Sequence, residues 1–561
     1  MHTRDWLEVG ASLLPLLILA PPLGFTMYRV WEQPQRLPRP VQAVERLFFR
    51  LIGADPAHEM GWREYACCLL LFNALGLLAV FVLQMSQAAL PLNPEGLPGV
   101  SWHLALNTAI SYMTNTNWQA YAGEVTLSYL VQLLGLTVQN FVSAATGMAV
   151  ALALVRGLIR AETKVLGNFW ADLVRGVLFI LLPLSIVVAT VLISQGVVQT
   201  LDGHVAAVTM EGARQNIPLG PAASQIAIKQ LGTNGGGFFG TNSAHPLENP
   251  TPLSNWVELL SLLLIPAAMV FTFGHMVKSR RQAWTLYLVM FGLLCLGLAV
   301  GLWAEHSAVP ALGGPSMEGK ETRFGITGSV VWSVFTTAAS NGSVNAMHSS
   351  FTPLGGAVPL FNMLLGEVIF GGVGAGLYGM LLFVLVTVFL AGLMVGRTPE
   401  YLGKKLDGRD MRLVLLAIIL PNLAILLATG LSVVLPAGLA SLASKGPHGF
   451  SEVFYAFTSA GANNGSAFAG LAADSPYYNL MLGLVMLVGR FGIIVPVLAI
   501  AGNLAEKKTS PASSGTFATD NLLFALLLTG VILIVGGLTY LPALALGPIT
   551  EHLLMLRGLA F

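Results

Sequence analysis

Ten stretches of this chain are apolar enough to cross a bilayer, and four short polar phrases punctuate the series at regular places. A helix needs about 20 mostly apolar residues to span the hydrocarbon. By that test the spans are 6–28, 65–88, 126–155, 170–195, 255–277, 283–304, 356–395, 413–436, 477–502 and 520–541. The phrases are Thr114-Asn115-Thr116-Asn117, Thr233-Asn234-Gly235-Gly236, Ser340-Asn341-Gly342-Ser343 and Asn463-Asn464-Gly465-Ser466. They fall between spans two and three, four and five, six and seven, and eight and nine. Each follows an apolar segment too short to cross. Polar, Gly-containing backbone is tolerated at membrane depth only where protein buries it or water reaches it. Four such loops in one chain predict a pore lined by four loops.

The expected fold is an all-α membrane protein of ten transmembrane helices. Four fused helix–pore loop–helix repeats (65–156, 170–278, 283–396 and 412–503) surround one pseudo-fourfold axis, as four separate chains do in a tetrameric channel. One helix is added at each end, within 1–64 and 504–561. The seventh span is too long for one crossing and is expected to be broken.

Composition fits lipid. The chain is 55% hydrophobic and 10% charged, against about 25% charged in soluble domains. A net charge of +1 gives no sign of a nucleic-acid partner. Cys67, Cys68 and Cys295 sit in apolar runs and match no metal-binding spacing. The first run has Asp5 and Glu8 at its start, lacks a clear cleavage site and leads into an Arg-rich loop, so it reads as a retained span.

Alternate loops differ in basic residues. Twenty of the 28 Lys and Arg fall on one side, including Arg36, Arg39, Arg46, Arg50 and Arg397, and seven on the other. The rich side is expected to be cytoplasmic, so the polar phrases open outward. The outward connection 196–254 has room for a small subdomain, and Lys507 to Gly515 reads as a cytoplasmic linker.

A cation leaving water needs replacement oxygens. Backbone carbonyls, with Thr, Ser and Asn oxygens, supply them without fixed charge. Glycine allows the dihedrals that turn successive carbonyls inward. The phrases hold no acidic residue, which points to a monovalent ion. A single phrase would read as a polar turn; four in matching places read as a filter. In this alignment Thr116 stands where the other phrases have Gly235, Gly342 and Gly465, and would offer a hydroxyl as well as a carbonyl.

Two further features stand out. Gly371, Gly372, Gly374, Gly376 and Gly379 cluster inside the seventh span, just after Glu367. Glycine costs roughly 1 kcal/mol relative to Ala in a helix interior, so the cluster marks either a break lining an ion path or close helix packing. Arg490 lies within an apolar run and is expected to face the bundle interior or a cavity. It would repel cations there, pair with Glu367, or do both. Gly314 to Glu321 nearly matches a phosphate-binding loop, but Glu321 replaces the required Ser or Thr.

Several stretches carry a family resemblance: Thr233 to Phe239, Asn242 to Thr251, Met317 to Gly325, Ser340 to His348, Ala462 to Gly470 and Val488 to Gly492. Together they resemble the potassium-binding A subunit (KdpA) of the bacterial Kdp potassium-transporting ATPase. The resemblance implies a K⁺-selecting subunit, multi-pass in the bacterial inner membrane, whose filter comprises the four phrases. Gln119 falls where the family is also sensitive, and the family's helix is interrupted below the filter. It implies a P-type ATPase partner (KdpB) that binds ATP and Mg²⁺, with KdpC and a small KdpF-type subunit as further partners. This chain is then expected to bind no cofactor and to hold no catalytic site. Two rivals stay open: a stand-alone K⁺ channel or symporter of the related four-repeat superfamily, and a membrane enzyme using Glu367, Arg490 and the Asn residues.

Overall fold

The computed structural model describes residues 3–310, 312–394, 396, 398–511 and 516–559. Arg397 and residues 512–515 of the 507–515 linker lie outside the described residues. In chain order the main helices are α1 (Thr3–Glu32), α2 (Arg39–Ile52), α3 (Trp62–Ala89), α4 (Trp102–Met113), α5 (Val131–Ile159), α6 (Phe169–Ser194), α7 (Ala222–Leu231) and α8 (Pro252–Met276). Then follow α9 (Arg280–His306), α10 (Gly325–Ala338), α11 (Pro353–Leu364), α12 (Ala375–Met394), α13 (Gly408–Ser432), α14 (Gly446–Gly461), α15 (Pro476–Glu506) and α16 (Leu522–Leu556). Ten of the described helices are long and apolar enough to cross a membrane. The short helices α4, α7, α10 and α14 each run directly into one polar phrase.

Burial separates an inner set from an outer set. The apolar windows of α5, α8 and α12 are 89%, 83% and 72% buried, whereas those of α3, α6 and α13 are 22%, 28% and 33% buried. The second long helix is the more buried of the two in every repeat, sharply so in the first two, while α9 and α15 are both 56% buried. In lipid, an exposed Leu costs nothing, so the outer helices keep apolar residues on every face.

Helix ends are satisfied locally. Asn168 accepts from the Ala171 N–H at 3.0 Å to start α6. Thr251 with Ser254, and Asp407 with Asp410, form reciprocal caps on α8 and α13. These groups pair the free N–H donors of a first turn, which lipid cannot do.

The seventh span is broken, and the tenth runs past its expected end. The stretch expected as 356–395 is the half-helix α11, a loop, and then α12. Gly366, Glu367, Phe370, Gly371 and Gly374 all take positive φ there, which ends any right-handed helix. The last span continues past 541 to Leu556, with a kink at Gly547 beside Pro548.

One face of the bundle is tied together by a buried charge cluster. Arg156 at the end of α5 meets Asp172 of α6 at 2.6 Å and Glu32 of α1 at 2.9 Å. Tyr65 of α3 donates to the same Asp172 at 2.9 Å. Four long helices thus share one fixed end, on the face away from the polar phrases. On the phrase face, the 196–254 connection includes an exposed antiparallel hairpin, Val205–Val208 with Arg214–Ile217.

Candidate functional site

Four short helices end at Met113, Leu231, Ala338 and Gly461, and the chain leaves each end in the same way. The third residue beyond each end donates its N–H five residues back: Thr116 to Ser111 (2.9 Å), Asn234 to Lys229 (2.8 Å), Asn341 to Thr336 (2.9 Å) and Asn464 to Ser459 (2.8 Å). The residue before it is left-handed in every copy: Asn115, Thr233, Ser340 and Asn463, with φ of 63°, 51°, 49° and 51°. So is the residue after it: Asn117, Gly235, Gly342 and Gly465, at 53°, 84°, 92° and 100°.

This corrects the sequence alignment of the first loop. The structure places Asn117, not Thr116, at the position of Gly235, Gly342 and Gly465, and Thr116 opposite Asn234, Asn341 and Asn464. The physical reason is the helix end. Helix α4 runs to Met113, so Thr114 matches Gly232 and the filter phrase starts one residue later. Left-handed, then negative, then left-handed φ directs successive carbonyls to one side of the loop, the pattern a dehydrated cation needs.

The loops close a ring in chain order. Asn115 donates to the Thr233 carbonyl at 2.9 Å, and Gln119 exchanges two bonds with Gly237, at 3.0 and 2.9 Å. Asn341 donates to the Lys229 carbonyl at 3.1 Å. Ser340 donates to the Ala462 carbonyl at 2.8 Å, and Asn464 to the Thr336 carbonyl at 3.1 Å. Asn463 donates to the Thr116 hydroxyl at 3.0 Å, which returns to the first loop. The close approach dictates the glycines. A Cβ on Gly235 would meet the Asn341 carbonyl, one on Gly342 the Asn464 carbonyl, and one on Gly465 the Thr116 carbonyl. Loop one tolerates a side chain: Asn117 points its amide away, donating to Asn140 of α5 at 2.9 Å and to the Gly236 carbonyl at 3.2 Å.

Four helix C-termini converge on this ring. Each carries a partial negative charge near half an electron, so the ring favours a cation although its phrases hold no carboxylate.

A buried polar cluster that the sequence reading missed braces the second loop. Lys229 pairs with Glu248 and donates to the Asn242 amide oxygen at 2.9 Å. The amide of Asn242 donates in turn to the Gly235 carbonyl at 2.9 Å. Ser243 bridges Glu248 and Glu258, at 2.9 Å to each, and Gln230 donates to Glu258 at 2.9 Å. A charged residue within an apolar helix such as Glu258 is the signal that could have pointed here.

Beneath the ring lies the glycine loop, residues 365–374. The Gly371 N–H donates to the Ala338 carbonyl at 2.8 Å, and the Val373 N–H to the Thr233 hydroxyl at 2.9 Å. Added Cβ atoms on Gly371, Gly374 and Gly376 would collide with backbone, whereas Gly372 and Gly379 have ordinary space around them. A cavity of about 60 Å³ sits alongside, lined by Glu367, Arg490, Tyr378, Asn422, Asn463 and Tyr540 among others. That is room for a few water-sized particles. Arg490 donates to the Ser143 carbonyl of α5 at 3.2 Å. Among the described residues it forms no salt bridge with Glu367, although the two share this cavity. Arg490 thus faces a cavity inside the bundle without an ion pair to Glu367, which leaves repulsion of cations as the role to be proposed for it.

The family model described as "Potassium-transporting ATPase A subunit" matches residues 11–553. The chain belongs to the potassium-transporting ATPase A subunit family. Within that family it is 57% identical over 560 residues to the potassium-transporting ATPase potassium-binding subunit of Pseudomonas aeruginosa, covering 99% of both chains. It is 54% identical over 567 residues to the subunit of the same name from Mesorhizobium japonicum, covering both completely. Among solved structures, the potassium transporter TrkH from Vibrio parahaemolyticus shares the fold, with a TM-score of 0.52 over 88% of this chain and 98% of that one. At 14% identity that likeness speaks to fold alone.

Proposed function

We propose that this chain is the K⁺-binding and K⁺-selecting subunit of an ATP-driven potassium import complex. It takes K⁺ from the extracytoplasmic side into the ring formed by residues 115–118, 233–236, 340–343 and 463–466, and delivers it to a partner that supplies the energy. One observation carries the reading: four loops of the same backbone form join in chain order into one ring, each at the C-terminus of a short helix. A ring of carbonyls replaces a hydration shell without fixed charge, which suits a weakly held monovalent ion that must leave again.

Below the ring, the glycine loop and the cavity holding Glu367 and Arg490 form the next stage. The guanidinium opposes straight passage of a cation, and the loop hung from Ala338 and Thr233 closes the direct route. Transport then depends on the partner. In this reading ATP and Mg²⁺ bind a KdpB-type P-type ATPase subunit, with KdpC-type and KdpF-type subunits completing the complex. The chain sits in the bacterial inner membrane with its basic loops cytoplasmic.

Purification tests this directly. The tagged chain should bring down an ATPase activity stimulated by K⁺ and not by Na⁺ at equal concentration. Passive K⁺ flux through vesicles holding the isolated chain alone would contradict it and favour a stand-alone channel.

A further inference from the structure

Helix α2 is 14 residues long, too short to cross a bilayer, and lies between the spans α1 and α3. Its neighbours pin it to one membrane face. Glu32 closes α1 against Arg156, and Glu45 of α2 itself pairs with Arg175 of α6 at 2.7 Å. This is the face away from the filter ring.

The helix presents three distinct faces. Glu45 and Phe49, four residues apart, are buried against the protein. Val44, Leu47, Phe48 and Leu51, at three- and four-residue spacing, form an apolar stripe that no described residue covers; Leu51 is 72% exposed and Leu47 53%. Arg39, Arg46 and Arg50, spaced seven and four, form a basic stripe beside it. All three arginines are exposed, and among the described residues none forms a salt bridge. The one acid of the helix, Glu45, is already engaged by Arg175, so the basic stripe is uncompensated.

An apolar stripe next to a cationic stripe on a short helix at a membrane face matches a bilayer surface: acyl chains for one, phosphates for the other. We infer that α2 is a docking surface for anionic phospholipid of the cytoplasmic leaflet, with Leu47, Phe48 and Leu51 among the upper acyl chains and Arg39, Arg46 and Arg50 on the headgroup phosphates. This rests on the orientation proposed above. Arginine suits the role because its planar fork grips phosphate oxygens in pairs. The Glu45–Arg175 pair ties the lipid-facing helix to α6, whose start belongs to the charge cluster of Arg156, Asp172 and Glu32. Lipid binding at α2 thereby steadies the end at which α1, α3, α5 and α6 meet.

The test uses the complete ATPase complex in vesicles of phosphatidylcholine with rising phosphatidylglycerol. K⁺-stimulated ATPase of the unaltered complex should rise roughly twofold or more with the anionic fraction, with anionic lipid retained on purification. Arg39→Gln/Arg46→Gln/Arg50→Gln should flatten that rise and lose retained anionic lipid, while Arg39→Lys/Arg46→Lys/Arg50→Lys keeps most of it. An unaltered complex indifferent to phosphatidylglycerol, or a Gln variant with the same lipid response, would overturn the proposal. Loss of a partner subunit from the Gln variant, with the lipid response of the remainder unchanged, would assign α2 to a subunit interface and overturn it equally. Failure of the filter reading instead shows as loss of K⁺ stimulation in every lipid mixture.

Discussion

The backbone N–H of Val373 donates to the hydroxyl of Thr233 at 2.9 Å, so the glycine loop hangs from the second filter phrase. In the proposed function, this bond joins the ion-selecting ring to the barrier beneath it. Thr233→Val removes the acceptor and leaves a buried N–H unpaired, a penalty of about 1–3 kcal/mol. The expected result is a several-fold rise in the K⁺ concentration for half-maximal ATPase stimulation. Thr233→Ser should stay near the unaltered protein, because the hydroxyl remains.

The five glycines of the break divide into two classes. Gly374→Ala places a side chain at φ +80° against the Gly147 backbone, and Gly371→Ala places one at φ +64° against the Glu367 backbone. Each should lower the melting temperature of the purified complex and abolish most K⁺-stimulated activity. Left-handed strain alone costs about 1–2 kcal/mol. Gly372→Ala and Gly379→Ala meet neighbours no nearer than 3.5 Å and should retain most activity. A uniform loss across all of them would show that the loop needs flexibility rather than space.

Lys229 and Glu248 are both fully buried. Breaking one partner of such a pair strands a charge and costs about 3–5 kcal/mol. Lys229→Met or Glu248→Gln alone should therefore destabilise the protein and weaken K⁺ stimulation, since Asn242 loses the contact that orients it on the Gly235 carbonyl. The double variant Lys229→Met/Glu248→Gln should recover stability but not full K⁺ affinity. Thermal melts and K⁺ titrations on the three variants separate the two effects.

His448, at the start of α14, is the group whose titration reaches the fourth filter helix. Its hydrogen bond to Glu551 at 2.8 Å lifts its pKa above the ordinary 6.5, with Glu551 and Glu452 charges adding to this and burial opposing it. A raised folded pKa gives stability that is fully present below 6.5 and lost as pH climbs through the folded value. The melting temperature should fall across that rise, and His448→Gln should remove the dependence. An unchanged pH profile in His448→Gln would exclude this pair as its source.

Most of the architecture was legible because lipid simplifies the code. Spans need long apolar runs, and polar Gly-rich backbone between them has few places to go. The frame of the first loop was not, because Thr114-Asn115-Thr116-Asn117 reads equally well in two registers. The helix end at Met113 settles it, and the signal available was conformational: Asn115 and Asn117 are residues that accept left-handed φ. The Lys229, Asn242, Glu248 and Glu258 cluster was also hidden. Its members are spread along a loop and two helices, and only the turn at Asn242–Ala244 brings them together. The break itself falls at residues 365–374, so Gly376 and Gly379 of the glycine run lie in the helix that follows, and sequence could not say which three of the five glycines are sterically required.

The central claim is that four loops form one K⁺-selective ring, and Gly235 is where it is most exposed to test. At φ +84°, with the Asn341 carbonyl standing where a Cβ would go, Gly235 has no room for a side chain. The measurement is ATPase activity of the purified complex against K⁺, comparing the unaltered chain with Gly235→Asp. The account predicts an intact complex whose K⁺ concentration for half-stimulation rises at least about tenfold, equivalent to ~1.4 kcal/mol of ion binding, with weaker discrimination against other monovalent cations. An unchanged K⁺ dependence in an intact complex would remove this loop from the ion path and contradict the ring as the site of selection.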